Sequence, residues 1–293
     1  MNTQKYIRTD LASECTVFTS NTNLSGISHT ESHTNFGDVS VIKVLDKNGE
    51  KLSGKPIGKY VTVSFENILS LSEETADNLI NTVSQHIKSF TTQLVPQKKN
   101  LTVLTVGLGN RYITSDAVGP LTVNNVTVTR HIKNKKLFEL LGQQTVAAVS
   151  PGVLGQTGIE TIETVKGAVS TVKPDLVIVI DALAAKDVSR LATTIQISDT
   201  GISPGSGINN NRGALNFDTL GVPVIAIGVP TMVSSATLVY NALEKAGISQ
   251  LSDDLTDVLE EGVSFFVTLN ETDAVVNSLS HILAESINKA FSI

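Results

Sequence analysis

Two aspartates stand where a buried strand would deliver them to a rim. Asp181 directly follows the apolar run LVIVI (176–180), and Asp116 lies in GLGNRYITSDAVGP, nine residues beyond Gly107, where the run LTVLTVG ends. In open α/β sheets, ligands and chemistry collect at the carboxyl ends of the strands. If the two strands are neighbours, both carboxylates reach one crevice. Two carboxylates held close together cannot both ionise cheaply, so one keeps its proton. The ionised one can activate a water while its partner donates a proton to a reacting carbonyl. Position alone leaves a plainer reading equally open: Asp116 capping the helix AVGPLTVNNV and Asp181 capping the next helix.

Two long glycine-rich connections also follow strand-like runs, SPGVLGQTGIET (150–161) and SDTGISPGSGINNNRG (198–213). Loops of this size in a compact domain are often binding walls or lids. Their backbone N–H groups, with the hydroxyls of Ser150, Thr157, Ser203 and Ser206, offer hydrogen bonds to an extended peptide or a developing oxyanion. The alternative is an inert surface loop. GLGN (107–110) lacks the third glycine of a dinucleotide fingerprint and the Lys-Ser/Thr of a P-loop, so a tight turn explains it better. His29 and His33 are four apart but sit in no helical pattern, and His86, His131 and His281 add no metal-ligand spacing. No metal site and no cofactor are expected. Cys15 reads as a free surface thiol, and no serine sits in a G-x-S-x-G elbow.

The elements that must position these residues can be read from periodicity. The runs 101–107, 145–150, 176–180, 194–198 and 222–228 are short and apolar without alternation, as in strands buried on both faces. Helical stretches near 157–172 and 232–246 alternate with them. The pattern predicts an α/β fold, a mostly parallel sheet flanked by helices. Ahead of it, Val39–Leu45 and Tyr60–Phe65 are β-like and flank the turn-rich DKNGEKLSGKP, which predicts an antiparallel ribbon. Leu79, Val83, Ile87, Phe90 and Leu94 share one face of a helix from about Ser72 to Leu94, with Pro96 just beyond. Residues 19–37 are polar and aperiodic and read as a loop or arm; residues 251–293 read as two helices.

Composition narrows the class. The chain has 293 residues, 41% hydrophobic and 17% charged, one cysteine, no tryptophan and a net charge of −6. Charged content is under the roughly 25% usual for soluble domains, and Ser, Thr and Asn fill the gap. A lone cysteine cannot build a disulfide framework and suits a reducing interior. MNTQKYIRTDLASE has no apolar secretory core, and no apolar stretch is long enough to span a membrane. The negative balance, with no long Lys/Arg run, argues against general nucleic-acid binding.

At the rim the chain resembles a known family. VGLGN (106–110), SDAVGPLTVNNVTVTRHI (115–132), AAVSPGVLGQTGIET (147–161), KPDLVIVIDALAAKDVSRLATTIQISDTGISPGSG (173–207) and LGVPVIAIGVPT (220–231) are similar to successive blocks of the germination proteases of endospore-forming bacteria. YIRTDLASE (6–14) resembles that family's processing region. The resemblance implies a fold related to hydrogenase-maturation proteases and an endopeptidase that degrades small acid-soluble spore proteins during germination. It implies a self-processing zymogen, a homotetramer, and a cytoplasmic location in the spore core, without membrane or direct nucleic-acid partners. It also implies an unusual aspartic peptidase, once grouped with metalloendopeptidases, whose two aspartates fall by motif on Asp116 and Asp181.

The family prefers an acidic residue, then a bulky apolar one, then alanine. The resemblance therefore sets the processing site after Asp10, ahead of Leu11, with 1–10 as propeptide and 11–293 as one α/β peptidase domain. Within that domain 11–70 would be the arm and ribbon, 71–250 the core, and 251–293 the C-terminal helices. The rival readings are a metal-dependent peptidase using the same crevice and a non-catalytic relative that binds spore proteins. Where the family usually carries TPDALGP this chain has TSDAVGP, and residues 15–60 resemble the family poorly.

Overall fold

The computed structural model describes residues 9–15, 25–96, 98–132, 144–203, 213–248, 255, 259 and 265–293. The predicted ribbon forms from β2 (Asp38–Val44) and β3 (Gly58–Ser64), paired antiparallel with Val41 opposite Val61. Two features around it differ from expectation. Residues read as part of an aperiodic arm form β1 (Ile27–His33), an edge strand on β2. Its side chains are almost all exposed, so no burial pattern marked it. The turn-rich stretch between β2 and β3 holds a short helix, α1 (Lys47–Ser53). Asp46 caps its first turn by accepting from the Gly49 N–H at 2.9 Å, and Gly54 ends it in a left-handed conformation.

The long helix α2 (Glu73–Leu94) matches its predicted span, with Ser72 as its cap. Then come β4 (Thr102–Gly107), α3 (Val118–Asn125), β5 (Thr145–Val149), the one-turn α4 (Leu154–Thr157), α5 (Thr161–Val172) and β6 (Leu176–Ala184). They are followed by β7 (Thr194–Ser198), the one-turn α6 (Phe217–Leu220), β8 (Val224–Ser234), α7 (Ser235–Lys245), the short β9 (Phe266–Val267) and α8 (Thr272–Phe291). In the tail, α8 buries Leu279, Ile282, Leu283 and Ile287; most of 251–264, where a second helix was expected, lies outside the described residues.

One sheet runs β1-β2-β3-β7-β8-β6-β4-β5, with β9 attached to β8. The neighbours β5, β4, β6 and β8 are parallel, whereas β7 runs antiparallel to both β3 and β8. The run TIQIS is thus not a member of the parallel set, although its composition matches those strands. It instead joins the ribbon to the parallel core. Helices α2, α3 and α8 cover one face over Ile178, Ile180, Ile225 and Ile227, and α5 covers the other over Val177 and Val179. The alternating residues of a doubly buried strand supply both cores.

Candidate active site

β4 and β6 are neighbours, so the condition for the two aspartates to meet is fulfilled. Asp181 lies inside β6, which continues to Ala184, and the 3-10 turn that follows, Val188–Arg190, is capped by Asp187. Its carboxylate is buried, 6% exposed, and accepts from the Ala182 N–H at 2.9 Å. Asp116 ends a single 3-10 turn, Thr114–Asp116, that climbs over the strand ends ahead of α3. Ala117 is the capping residue of α3 and makes no side-chain cap. Asp116 instead turns back, accepting from the Asn110 N–H at 2.7 Å. The turn is pinned where Thr231 of β8 donates its hydroxyl to the Ser115 carbonyl at 2.6 Å. Neither aspartate is where a helix cap would put it.

Glycines let these pieces approach. A Cβ on Gly109, whose φ is +112°, would lie 2.0 Å from the Asp116 carbonyl oxygen. Gly228 of β8 sits in register between Asp181 of β6 and Gln196 of β7. Residues in register on adjacent strands present the same face, so Asp181 and Gln196 flank a position with no side chain. A Cβ on Gly228 would lie 2.3 Å from Leu183, which fills that space from β6.

Asp116 and Asp181 line one cavity of about 630 Å³. The glycine-rich connections contribute Val153, Thr161, Gly201, Ile202 and Ser203 to its wall. Ser150 and Thr157 are exposed and do not line it; Thr157 spends its hydroxyl on its own turn, at Ile159 and Val153. Ser206 lies outside the described residues. Tyr60 also lines the cavity; burial pushes its phenol up to about 12, so it remains a neutral donor, bonded to the Pro56 carbonyl at 2.8 Å. Among the described residues no cluster of three or more His, Cys, Asp and Glu side chains is placed to hold a metal ion. Nor is any helix among them long and apolar enough to cross a membrane.

The cavity already holds a piece of chain. Asp10 pairs with the end of β6, donating its N–H to the Ala184 carbonyl at 3.0 Å and accepting from the Ala184 N–H on its carboxylate at 2.9 Å. Leu11 is fully buried against Leu183, Ala185, Leu191 and Val233. Ala12, equally buried, packs on Ile42, Val44 and Tyr60 of the ribbon. Burying Leu11 alone stabilises this docking by roughly 2 kcal/mol. Glu14 fastens the far end, accepting from the Lys186 and Asp187 N–H groups at 2.7 and 2.8 Å, and it also pairs with the Thr9 hydroxyl. Cys15 is free but half-buried rather than on the surface, and burial pushes its thiol up.

Two residues that sequence reasoning missed touch the backbone of this segment. Lys55, from the connection after α1, donates its ammonium to the carbonyls of Asp10 and Thr9 at 3.0 and 3.2 Å. Gln196 accepts from the Ala12 N–H at 2.6 Å and donates to the Asp10 carbonyl at 3.3 Å. The Ala12 N–H can only donate, which fixes the carboxamide with its nitrogen toward Asp10. No local motif marks either residue; only the fold brings them to Asp10.

An α/β fold, two aspartates at the carboxyl rim of parallel strands and a docked segment in the same cavity, which enters a 3-10 turn at Ala12–Glu14, define a protein that seats polypeptide beside two carboxylates. Comparison with known proteins agrees. Residues 8–246 match the family model described as germination protease, Peptidase_A25. The germination protease of Caldanaerobacter subterraneus is 40% identical, the match covering 97% of this chain and 94% of that one. That of Clostridium tetani is 36% identical over 97% and 95%. That of Bacillus subtilis is 44% identical over 73% of this chain and 58% of its own. Among solved structures, a NiFe hydrogenase maturation protease from Thermococcus kodakarensis aligns with a TM-score of 0.38 and 18% identity, over 69% of this chain and 97% of that one. That likeness is too loose to bear on fold or site. The chain belongs to the germination protease family and is a peptidase.

Proposed function

We propose that this chain is an endopeptidase that initiates the degradation of small acid-soluble spore proteins in the germinating spore core, with Asp116 and Asp181 as its catalytic pair. It is made as a zymogen that removes residues 1–10 by cutting between Asp10 and Leu11, and it works as a homotetramer without a cofactor. Residues 11–293 form the mature peptidase. One observation carries the reading: Asp10, at the expected cut, lines the same cavity as Asp116 and Asp181.

In this mechanism the two carboxylates share one proton. The ionised one takes a proton from water as the water oxygen bonds to the carbonyl carbon. The protonated one gives its proton to the carbonyl oxygen, forming a gem-diol. The first then passes its proton to the peptide nitrogen as the C–N bond breaks, and a diol proton returns to the second. One water is consumed, and the dyad ends as it began.

The test uses Asp116→Asn and Asp181→Asn separately. Each should slow the appearance of a new N-terminus at Leu11, read by intact mass, and cleavage of a Glu-Ile-Ala peptide by about 10²–10⁴-fold. Near-normal cleavage by both variants would remove the dyad. A wild-type chain that binds such peptides and leaves them whole would point to a non-catalytic relative instead.

A further inference from the structure

We infer that Lys55 and Gln196 are the oxyanion-stabilising residues of this peptidase, holding the carbonyl oxygen of the bond to be cut. The inference rests on the reading of Asp10–Leu11 as a substrate bond. Its own ground is that this carbonyl, and not a neighbour, is gripped by two separate side chains.

The Asp10 oxygen accepts from the Lys55 ammonium at 3.0 Å and from the Gln196 carboxamide at 3.3 Å. Gln196 also accepts from the Ala12 N–H at 2.6 Å, so its carboxamide spans the Asp10–Leu11 bond from carbonyl to the next amide but one. Leu11 is the last residue before a 3-10 turn, Ala12–Glu14, so the clamp spans the point where the segment enters that turn. Gln196 is itself 8% exposed and rises from the middle of β7, which makes the clamp rigid.

The catalytic side of the cavity lies on the same face. Gln196 is in register with Gly228, and Gly228 with Asp181. Two strand spacings, about 10 Å, therefore separate the Asp181 and Gln196 backbones, with the Leu183 side chain over Gly228 between them, and both residues line the cavity that holds Asp10.

As water adds to the Asp10 carbon, the C=O π pair moves onto oxygen, and negative charge builds there before the dyad's proton arrives. An ammonium and an amide N–H already aimed at that oxygen stabilise the charge without reorganising. Lys55 supplies a full positive charge on a flexible stem, and Gln196 supplies fixed direction. Both act on any peptide laid along the same path, since they bind backbone and not a particular side chain.

The experiment compares Lys55→Met, Lys55→Arg and Gln196→Glu in the full chain, measuring the first-order rate of self-cleavage and kcat and KM on a Glu-Ile-Ala peptide. Loss of an oxyanion donor costs about 10²–10³-fold in kcat. Lys55→Met and Gln196→Glu should each show that loss in both reactions with KM within about threefold, and Lys55→Arg should recover most of it. If wild type cleaves and the Asp variants fail but Lys55→Met retains its kcat or changes KM alone, the inference is overturned and the dyad stands. A wild type that cleaves neither bond overturns both. Thermal unfolding checks each variant. Should Gln196→Glu unfold, the half-exposed Lys55 position decides alone.

Discussion

The parallel strands β5, β4, β6 and β8 and the antiparallel strands β7, β3, β2 and β1 belong to one sheet but bring different things to the cavity. The parallel half delivers the two aspartates, by strand ends and the turn that follows one of them. The antiparallel half delivers what grips a peptide: Gln196 from β7, Lys55 from the connection between β2 and β3, and the Ala12 pocket of Ile42, Val44 and Tyr60. The two aspartates and the side chains that hold the Asp10 backbone thus come from opposite sides of β8. On the proposed mechanism the water is activated from one side of β8 and the developing oxyanion is held from the other.

Gly228, where the halves meet, is the sharpest place to break this division. Gly228→Ala puts a methyl group 2.3 Å from Leu183 and between Asp181 and Gln196. Overpacking there should cost about 1–3 kcal/mol, read from the denaturant midpoint. Cleavage should fall further than stability does, because the two side chains are forced apart. Unchanged cleavage at lowered stability would mean that the halves act independently.

A smaller effect is expected at Glu14, which fastens the docked segment to the loop after β6 and touches neither half's machinery. Glu14→Gln weakens two charge-assisted bonds, worth about 1–2 kcal/mol, and should slow self-cleavage roughly tenfold while sparing cleavage of an added peptide. Cys15 next door reports the same release. Burial holds its thiol above the ordinary range, so at pH 8 less of it is thiolate and alkylation is slow. Its alkylation rate should keep rising with pH beyond the point where a free thiol levels off. In Glu14→Gln the thiol loses part of its burial and also the raising effect of the neighbouring carboxylate, and the rate at pH 8 should rise severalfold. Equal rates in both proteins would show that Glu14 does not hold the segment.

The same division explains what could be read in advance. Asp181 and Asp116 were legible because an apolar run buried on both faces announces its own end, and the rim follows from there. The helix α2 was legible from five apolar residues on one face. The direction of β7 was not, since TIQIS has the composition of a parallel strand and orientation is set by its partners. Nor was β1, an edge strand whose ISHTESH faces solvent almost throughout and so has no alternation to detect. Helix α1 carried its signals, Asp46 before it and Gly54 after it, but seven residues containing a glycine read equally as turns. Lys55 and Gln196 had no signal at all. A backbone-binding side chain needs no motif, only a fold that carries it across 45 residues from Asp10 in one case and 186 in the other.

In the proposed self-cleavage, the burial of Leu11 and Ala12 sets the kinetic order. The bond ahead of Leu11 is held by the chain's own cavity, so its presentation is intramolecular and set by docking, not by encounter. Dilution should therefore leave the half-life of self-cleavage unchanged, whereas cutting of one molecule by another would slow in proportion. Time courses over a hundredfold range of protein concentration would separate the two, and superposition of the curves is the expected result.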